Sequence, residues 1–436
     1  MTSSKSSSAC NASLPRDDLS LGSDRNRQRD GVVVRLARKG VLEKLQALKY
    51  GHLQVQDHGE IFSFGRRSDD FPQTITVHVV DPAFYPDLAF GGTIGAGEAY
   101  MLGHWHCDNL VDLIRLMLRN RPVLELIDGG LGRLRAPLNR LFHWLHRNSV
   151  AGSRRNIEAH YDLGNEFFKL FLDDTLMYSA GVFESPQATM KEASIAKLDR
   201  ICRKLELGPE DHVVEIGTGW GGFAIHAAGR YGCKVTTTTI SPSQYELARE
   251  RVRQAGLEDR IELLLKDFRH LDGQYDKLVS IEMIEAIGED NIGPFFGVCN
   301  RLLKPDGKML VQAITIADSL YDRYRKSVDF MQRYIFPGGF LPSVGSLCQG
   351  IARHSDMRLF HLEDIGPHYA RTLALWRQRL HENLQAVRSL GHSDQFLRMW
   401  EFYFCYCEGG FLERTIGDVQ MVLVRAGDRS EPLLRA

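Results

Sequence analysis

Between Val213 and Gly222 the chain reads Val-Val-Glu-Ile-Gly-Thr-Gly-Trp-Gly-Gly, an apolar run that breaks into a glycine-rich loop. This pattern requires a buried strand, a sharp turn and a helix start, because glycine turns freely and lets a ligand approach the backbone without a Cβ in the way. The rhythm continues downstream. Lys234–Thr239, Ile261–Leu265, Leu278–Ile281 and Met309–Ile314 read as strands, and Phe223–Arg230, Ser243–Gln254 and Ile292–Leu303 as the helices between them. Such alternation predicts an α/β fold, a doubly wound Rossmann-like sheet of parallel strands covered by helices on both faces. Helices near 319–333, 344–354, 371–388 and 394–408 and a late strand Val419–Val424 complete the pattern.

Upstream the character changes. Residues 1–30 are Ser-rich and without periodicity, which predicts a disordered tail. Residues 31–122 combine a helix around Leu36–Leu48, short strands at Ile61–Phe64 and Ile75–Val79, a glycine-rich turn from Gly91 to Gly97 and a helix near Leu110–Leu118, as expected of a small α+β domain. A basic linker follows over 123–155. Around it Arg115, Arg119, Arg121, Arg133, Arg135, Arg140, Arg147, Arg154 and Arg155 face only Glu125 and Asp128, with Leu138, Leu141, Phe142 and Leu145 at helical spacing. Such a segment reads as a solvated interdomain helix, or as a basic amphipathic helix for an anionic lipid surface. Residues 156–436 form the remaining, catalytic domain.

Composition narrows the function. Lys+Arg total 54 against Asp+Glu 55, so there is no chain-wide nucleic-acid footprint. No apolar run spans a bilayer and no signal-peptide core opens the chain, which predicts a cytoplasmic protein whose membrane contact is peripheral. The 8 Cys show no paired C-x-x-C spacing, so reduced thiols and no metal site are expected.

By spacing alone, Gly217, Gly219 and Gly222 also fit a dinucleotide loop. That reading wants an acid at the end of the second strand for the ribose, where this chain has Thr237-Thr-Thr-Ile-Ser241. The acid present is Glu215, before the first glycine, placed to anchor the loop towards the ammonium of a methionine-derived ligand. S-adenosylmethionine (SAM) has no pyrophosphate to seat at a helix terminus and is the better fit. Asp267 is then placed for the adenine amino group, with Phe268 beside the ring.

The wider set of motifs resembles the cyclopropane-fatty-acyl-phospholipid synthases and their mycolic-acid relatives. It comprises Glu215-Ile-Gly-Thr-Gly-Trp-Gly-Gly, Thr239-Ile-Ser-Pro-Ser-Gln244, His160-Tyr-Asp-Leu-Gly-Asn165, Met177-Tyr-Ser179, Glu285 in Met-Ile-Glu-Ala-Ile-Gly, Tyr334-Ile-Phe-Pro-Gly-Gly339 and His368-Tyr-Ala-Arg-Thr. The resemblance covers residue 155 to the end. It extends more weakly to Gly97-Glu-Ala-Tyr-Met-Leu-Gly-His-Trp105, similar to the small N-terminal, lipid-binding-like domain of the bacterial enzymes.

The resemblance implies transfer of the SAM methyl to a cis double bond of a membrane phospholipid acyl chain, followed by loss of a methyl proton to a bound bicarbonate and closure of a cyclopropane ring. It places SAM on Tyr178, Ser179, Gly217, Gly219, Thr239, Gln244, Asp267 and Phe268, and bicarbonate on Glu285 and Tyr369. It also implies a homodimer. Two positions depart from the bacterial pattern: Ala180 stands for a Cys and Gln312 for a His. The Ala180 N–H and the Gln312 amide still donate hydrogen bonds, but Gln does not titrate. The alternatives are a methyl- or methylene-branched product, a non-catalytic lipid-binding accessory protein, or a methyltransferase for soluble acceptors. Glu282 and Glu285 lie three apart after a strand, where acids usually cap or pair; the motif assigns chemistry to Glu285 alone. Trp376 reads as core.

Overall fold

The computed structural model describes residues 31–129, 164–431 and 433, which form two compact units. The tail 1–30, the basic segment 130–155 and His160 lie outside the described residues.

The first unit comprises Met1–Arg135 with Ser393–Gly409. Its sheet has the order β2-β1-β3-β4, from Gly51–Asp57 (β1), Glu60–Arg66 (β2), Thr74–Val79 (β3) and Trp105–Cys107 (β4). The glycine-rich stretch 91–97, expected as a turn, instead lies within helix Phe84–Leu102, kinked at Gly92 with φ 61°. Close approaches explain two of its glycines. A Cβ at Gly95 would come within 2.0 Å of the Asp87 carbonyl, and one at Gly92 within 2.5 Å of the Asp128 carboxylate. Residues 393–409, expected in the catalytic domain, join this unit through helix Asp394–Leu412, where Glu401 accepts a 2.8 Å hydrogen bond from Tyr100 Oη.

The second unit, Ala136–His392 with Gly410–Ala436, holds a seven-stranded sheet of order β10-β11-β9-β8-β5-β6-β7. These strands are His212–Ile216 (β5), Lys234–Thr239 (β6), Ile261–Leu265 (β7), Tyr275–Ile281 (β8), Leu303–Ile316 (β9), Arg358–Asp364 (β10) and Ile416–Val424 (β11). Strands β5 to β9 are parallel, and β11 runs against β9 and β10. The expected doubly wound sheet is present, with one reversed strand near its edge. Successive residues of β5 serve opposite faces: Val213 packs with Phe223, Ala227 and Val235, while Val214 and Ile216 pack with Phe295, Phe296 and Val311. Chain order reverses at β5, whose neighbours are β6 and β8. In a doubly wound sheet, ligands bind at such a crevice, beyond the carboxyl ends of the strands.

Candidate active site

The glycine loop leaves β5 at that crevice. Gly217 and Gly219 take φ of 99° and 53°, and the Gly217 and Thr218 N–H groups donate to the Thr238 carbonyl on β6 at 3.1 and 2.9 Å. A Cβ at Gly217 would approach Met283 Cγ to 2.9 Å, whereas one at Gly219 would meet no atom within 4 Å. The loop is thus closed against the protein at one glycine and open at the next, which suits a ligand lying along the backbone. Glu215 is buried beneath it and accepts from Thr237 Oγ1 at 2.6 Å; burial pushes its carboxyl up to about 7. At the end of β6, Thr239 Oγ1 donates to Gln244 Oε1 at 2.8 Å, while the Ser241 side chain caps the helix Pro242–Gln254.

Asp267 and Phe268 are more committed than their sequence role suggests. Asp267 accepts Nε and Nη2 of Arg269 at 2.8 and 2.7 Å, bonds that outweigh burial and hold its carboxyl below the usual range. Phe268 is buried against Phe295, ring centroids 5.6 Å apart.

An aromatic wall stands beside the loop. The half-buried Tyr178 ring lies 5.3 Å from Phe168, 6.1 Å from Phe171, 5.3 Å from Trp376 and 6.4 Å from Phe336. Tyr369 meets Trp376 edge-on at 6.0 Å and stacks on Phe411 at 4.6 Å. Trp376 is fully buried, as expected of core, and also joins Tyr178 to Tyr369. Aromatic faces of this kind stabilise a cation and exclude water.

Where β8 ends, polar groups from three segments converge on one carboxylate. Glu282 Oε1 accepts from the Ala180 N–H at 2.9 Å and from Gln312 Nε2 at 2.7 Å, and Oε2 accepts from Tyr369 Oη at 2.7 Å. The Glu282 N–H donates to the Gln312 carbonyl at 2.8 Å, and the residue is held at φ 49°, rare for a side chain with a Cβ. Gln312 also donates to Asp418 Oδ2 at 3.0 Å and accepts from Gln420 Nε2 at 3.0 Å across the β9–β11 register. Glu285, in the single turn Ile284–Ala286, takes the Ile314 N–H on Oε1, while its buried Oε2 has no hydrogen-bond partner among the described residues. The buried Lys197 donates to Ser179 Oγ at 2.8 Å.

This cluster holds three carboxyls and one lysine. Burial pushes Glu285 up to about 8, and it drives Asp418 well above the carboxylate range with help from the charges of Glu282 and Glu285. Burial pulls Lys197 down to about 8 against the attraction of Glu282 and Asp418. Burial raises Glu282 too, opposed by Tyr369, Ala180, Lys197 and Gln312. Lys197 also faces Asp173 and Glu215, and of the three carboxyls Glu282 accepts the most hydrogen bonds among the described residues.

Of the residues singled out in the sequence, Ala180, Gln312 and Tyr369 meet at Glu282. Tyr369, expected beside Glu285, bonds Glu282 instead. Glu282, expected as a cap or salt-bridge partner, accepts three hydrogen bonds from distant segments. Lys197, Asp418 and Gln420 carried no sequence signal, being single polar residues within otherwise ordinary helix and strand runs.

The family model described as mycolic acid cyclopropane synthetase matches residues 148–421. The chain belongs to this family. It is 38% identical over 345 residues to tuberculostearic acid methyltransferase UfaA1 of Mycobacterium tuberculosis (strain ATCC 25618 / H37Rv), covering 77% of this chain and 80% of that one. It is 35% identical over 352 residues to the cyclopropane-fatty-acyl-phospholipid synthase of Escherichia coli (strain K12), covering 80% and 87%. The crystal structure of mycolic acid cyclopropane synthase CmaA1 complexed with SAH and CTAB matches with a TM-score of 0.59 at 31% identity, over 62% of this chain and 98% of that one. The protein is accordingly a SAM-dependent methyltransferase of the cyclopropane synthase family. The open glycine at Gly219, the Thr239–Gln244 pair and the Tyr178–Ser179 turn fit SAM in this crevice.

The same test fails for bicarbonate. The Ala180, Gln312 and Tyr369 donors are already engaged by the protein's own carboxylate.

Proposed function

We propose that this methyltransferase adds the SAM methyl to a cis double bond of an unsaturated phospholipid acyl chain and closes a cyclopropane ring. The observation that carries the reading is the aromatic wall of Tyr178, Trp376 and Tyr369 meeting a buried carboxylate cluster. Alkene methylation leaves an electron-deficient carbon on the chain, which needs aromatic faces and dry surroundings. It also leaves a methyl proton to remove, which needs a base, since an alkene carries no acidic heteroatom. A methyltransferase for nitrogen or oxygen acceptors needs neither. The Gly217–Gly219 loop, Thr239, Gln244, Tyr178 and Ser179 hold and orient SAM, and the wall excludes water.

A methyl- or methylene-branched product is the second reading, supported by the 38% identity to an enzyme named for tuberculostearic acid. The ring and the exocyclic methylene share the methyl transfer and the proton loss, whereas a saturated methyl branch would also need a hydride donor. The lipid would be met peripherally, at the inner face of a membrane, by a protein able to pair as a homodimer. Among the described residues no helix is long and apolar enough to cross a membrane. Incubation of the purified protein with methyl-radiolabelled SAM and vesicles of dioleoyl or dipalmitoyl phospholipid tests the reading. Label in the unsaturated lipid alone supports it; equal label in both, or label only in soluble acceptors, refutes it.

A further inference from the structure

We infer that Glu282 is the base that takes the methyl proton, so that this enzyme carries its own carboxylate where a bicarbonate ion would otherwise be required. The inference rests on the proposed alkene methylation and names the base of that same site.

Three observations point to it. The donors of the pocket, one backbone N–H, one amide and one phenol, come from segments 102, 30 and 87 residues away and close on both oxygens of a single carboxylate. A carboxylate and bicarbonate present the same planar pair of oxygens to such donors, so the two cannot occupy the pocket together. Glu282 also pays a backbone cost to be there, since its φ of 49° belongs to the region glycine adopts freely. Finally, Lys197 and the three donors favour the ionised form of Glu282 against the burial that raises its carboxyl, while Glu285 and Asp418, raised by burial and by the charge of Glu282, accept fewer hydrogen bonds among the described residues.

The step balances without a further reactant. The methyl carbon bonds to one alkene carbon through the π electrons as the C–S bond breaks, its electron pair remaining on sulfur. A C–H bond of the new methyl then breaks. Its electron pair closes the third ring bond onto the electron-deficient carbon, or forms an exocyclic double bond after a hydride shift. The proton passes to the Glu282 carboxylate. Tyr369, Gln312 and the Ala180 N–H act as positioning groups that aim it.

The test compares the full-length wild type with E282G and E282Q in buffer stripped of carbon dioxide, with and without added bicarbonate. Glycine relieves the positive φ and leaves an anion-sized gap, so E282G is expected to fold; glutamine keeps the gap filled. Two readouts are taken: label transfer to unsaturated vesicles, and line broadening of 13C-bicarbonate by NMR, which needs no turnover. The wild type should work unchanged without bicarbonate and leave its line sharp. E282G should lose about 100-fold in turnover, the scale of a missing general base, recover with bicarbonate and broaden its line. E282Q should be inactive and beyond rescue. A wild type that binds bicarbonate or depends on it overturns the inference, as does undiminished turnover of E282G in stripped buffer. If no preparation labels lipid, the alkene-methylation reading fails by itself, while the NMR comparison still decides whether Glu282 fills the anion pocket.

Discussion

Tyr369 Oη donates to Glu282 Oε2 across 2.7 Å, joining the helix Gly366–Glu382 to the end of β8. Tyr369 is 4% exposed and backed by Phe411, so its hydroxyl cannot readily turn to water. The bond therefore fixes one carboxylate oxygen against the aromatic wall. Replacing Tyr369 by Phe removes a hydrogen bond to a charged group, worth about 1.5–3 kcal/mol, and keeps the ring. Turnover should fall by about tenfold to a hundredfold on that scale, with the SAM dissociation constant unchanged. Steady-state kinetics beside calorimetric SAM titration checks this; weakened SAM binding at normal turnover would place Tyr369 in the cofactor site instead.

Glu285 should report its burial through pH. Its carboxyl is raised from 4.5 to about 8 in the fold. The stability this neutral form contributes is complete below pH 4.5 and is lost as pH rises towards 8, where the unfolded chain ionises and the fold resists. Glu285→Gln keeps an acceptor for the Ile314 N–H and cannot ionise. The variant should gain on the wild type progressively between pH 4.5 and 8 and level off above, by urea unfolding at several pH values. Its turnover should nevertheless drop with SAM affinity intact, because the carboxyl lies beside Glu282 and Asp418.

Lys197 is the buried counter-charge of the cluster. Lys197→Met removes the cation that attracts Glu282 and should destabilise the protein by about 3 kcal/mol, the cost of stranding a buried charge. Adding Glu282→Gln should return part of that loss, so the double variant is less destabilised than the sum of the singles. Guanidinium unfolding of the four proteins measures the coupling; strict additivity would show that the two side chains do not interact.

The proposed peripheral contact with lipid assigns a role to the basic segment 123–155. Reversing Arg133, Arg135, Arg140 and Arg147 to Glu should weaken binding to anionic vesicles, at about 1 kcal/mol for each basic side chain near the surface. The loss should shrink as salt is raised. Vesicle sedimentation at two ionic strengths checks it, and unchanged binding would remove this segment from membrane contact.

The sheet and the glycine loop were legible because their signals are local: β-branched runs, glycine spacing and helix periodicity all lie within about ten residues. Strand β6, Lys234–Thr239, was readable to the residue for this reason. Strand β10, Arg358–Asp364, was not, since it carries charge on an edge and shows no apolar run. The helix kinked at Gly92 was read as a turn because glycine composition conceals close packing, which only the contacts with Asp87 and Asp128 reveal. Glu282 escaped for a different reason. Its donors lie 30 to 102 residues away, and no spacing rule connects an acid at a strand end to a backbone N–H, an amide and a phenol on other elements. Resemblance identified those three donors and pointed to Glu285, three residues from the group they serve.

The most direct measurement is 13C NMR of the phospholipid recovered after incubating the wild-type protein with 13C-methyl SAM and dioleoyl phospholipid vesicles. The account predicts label in the acyl chain as a cyclopropane methylene carbon, with the two former alkene carbons saturated. Label as a methyl or exocyclic methylene carbon would keep the transfer and contradict ring closure. An acyl chain without label, while SAM binds, would contradict alkene methylation itself.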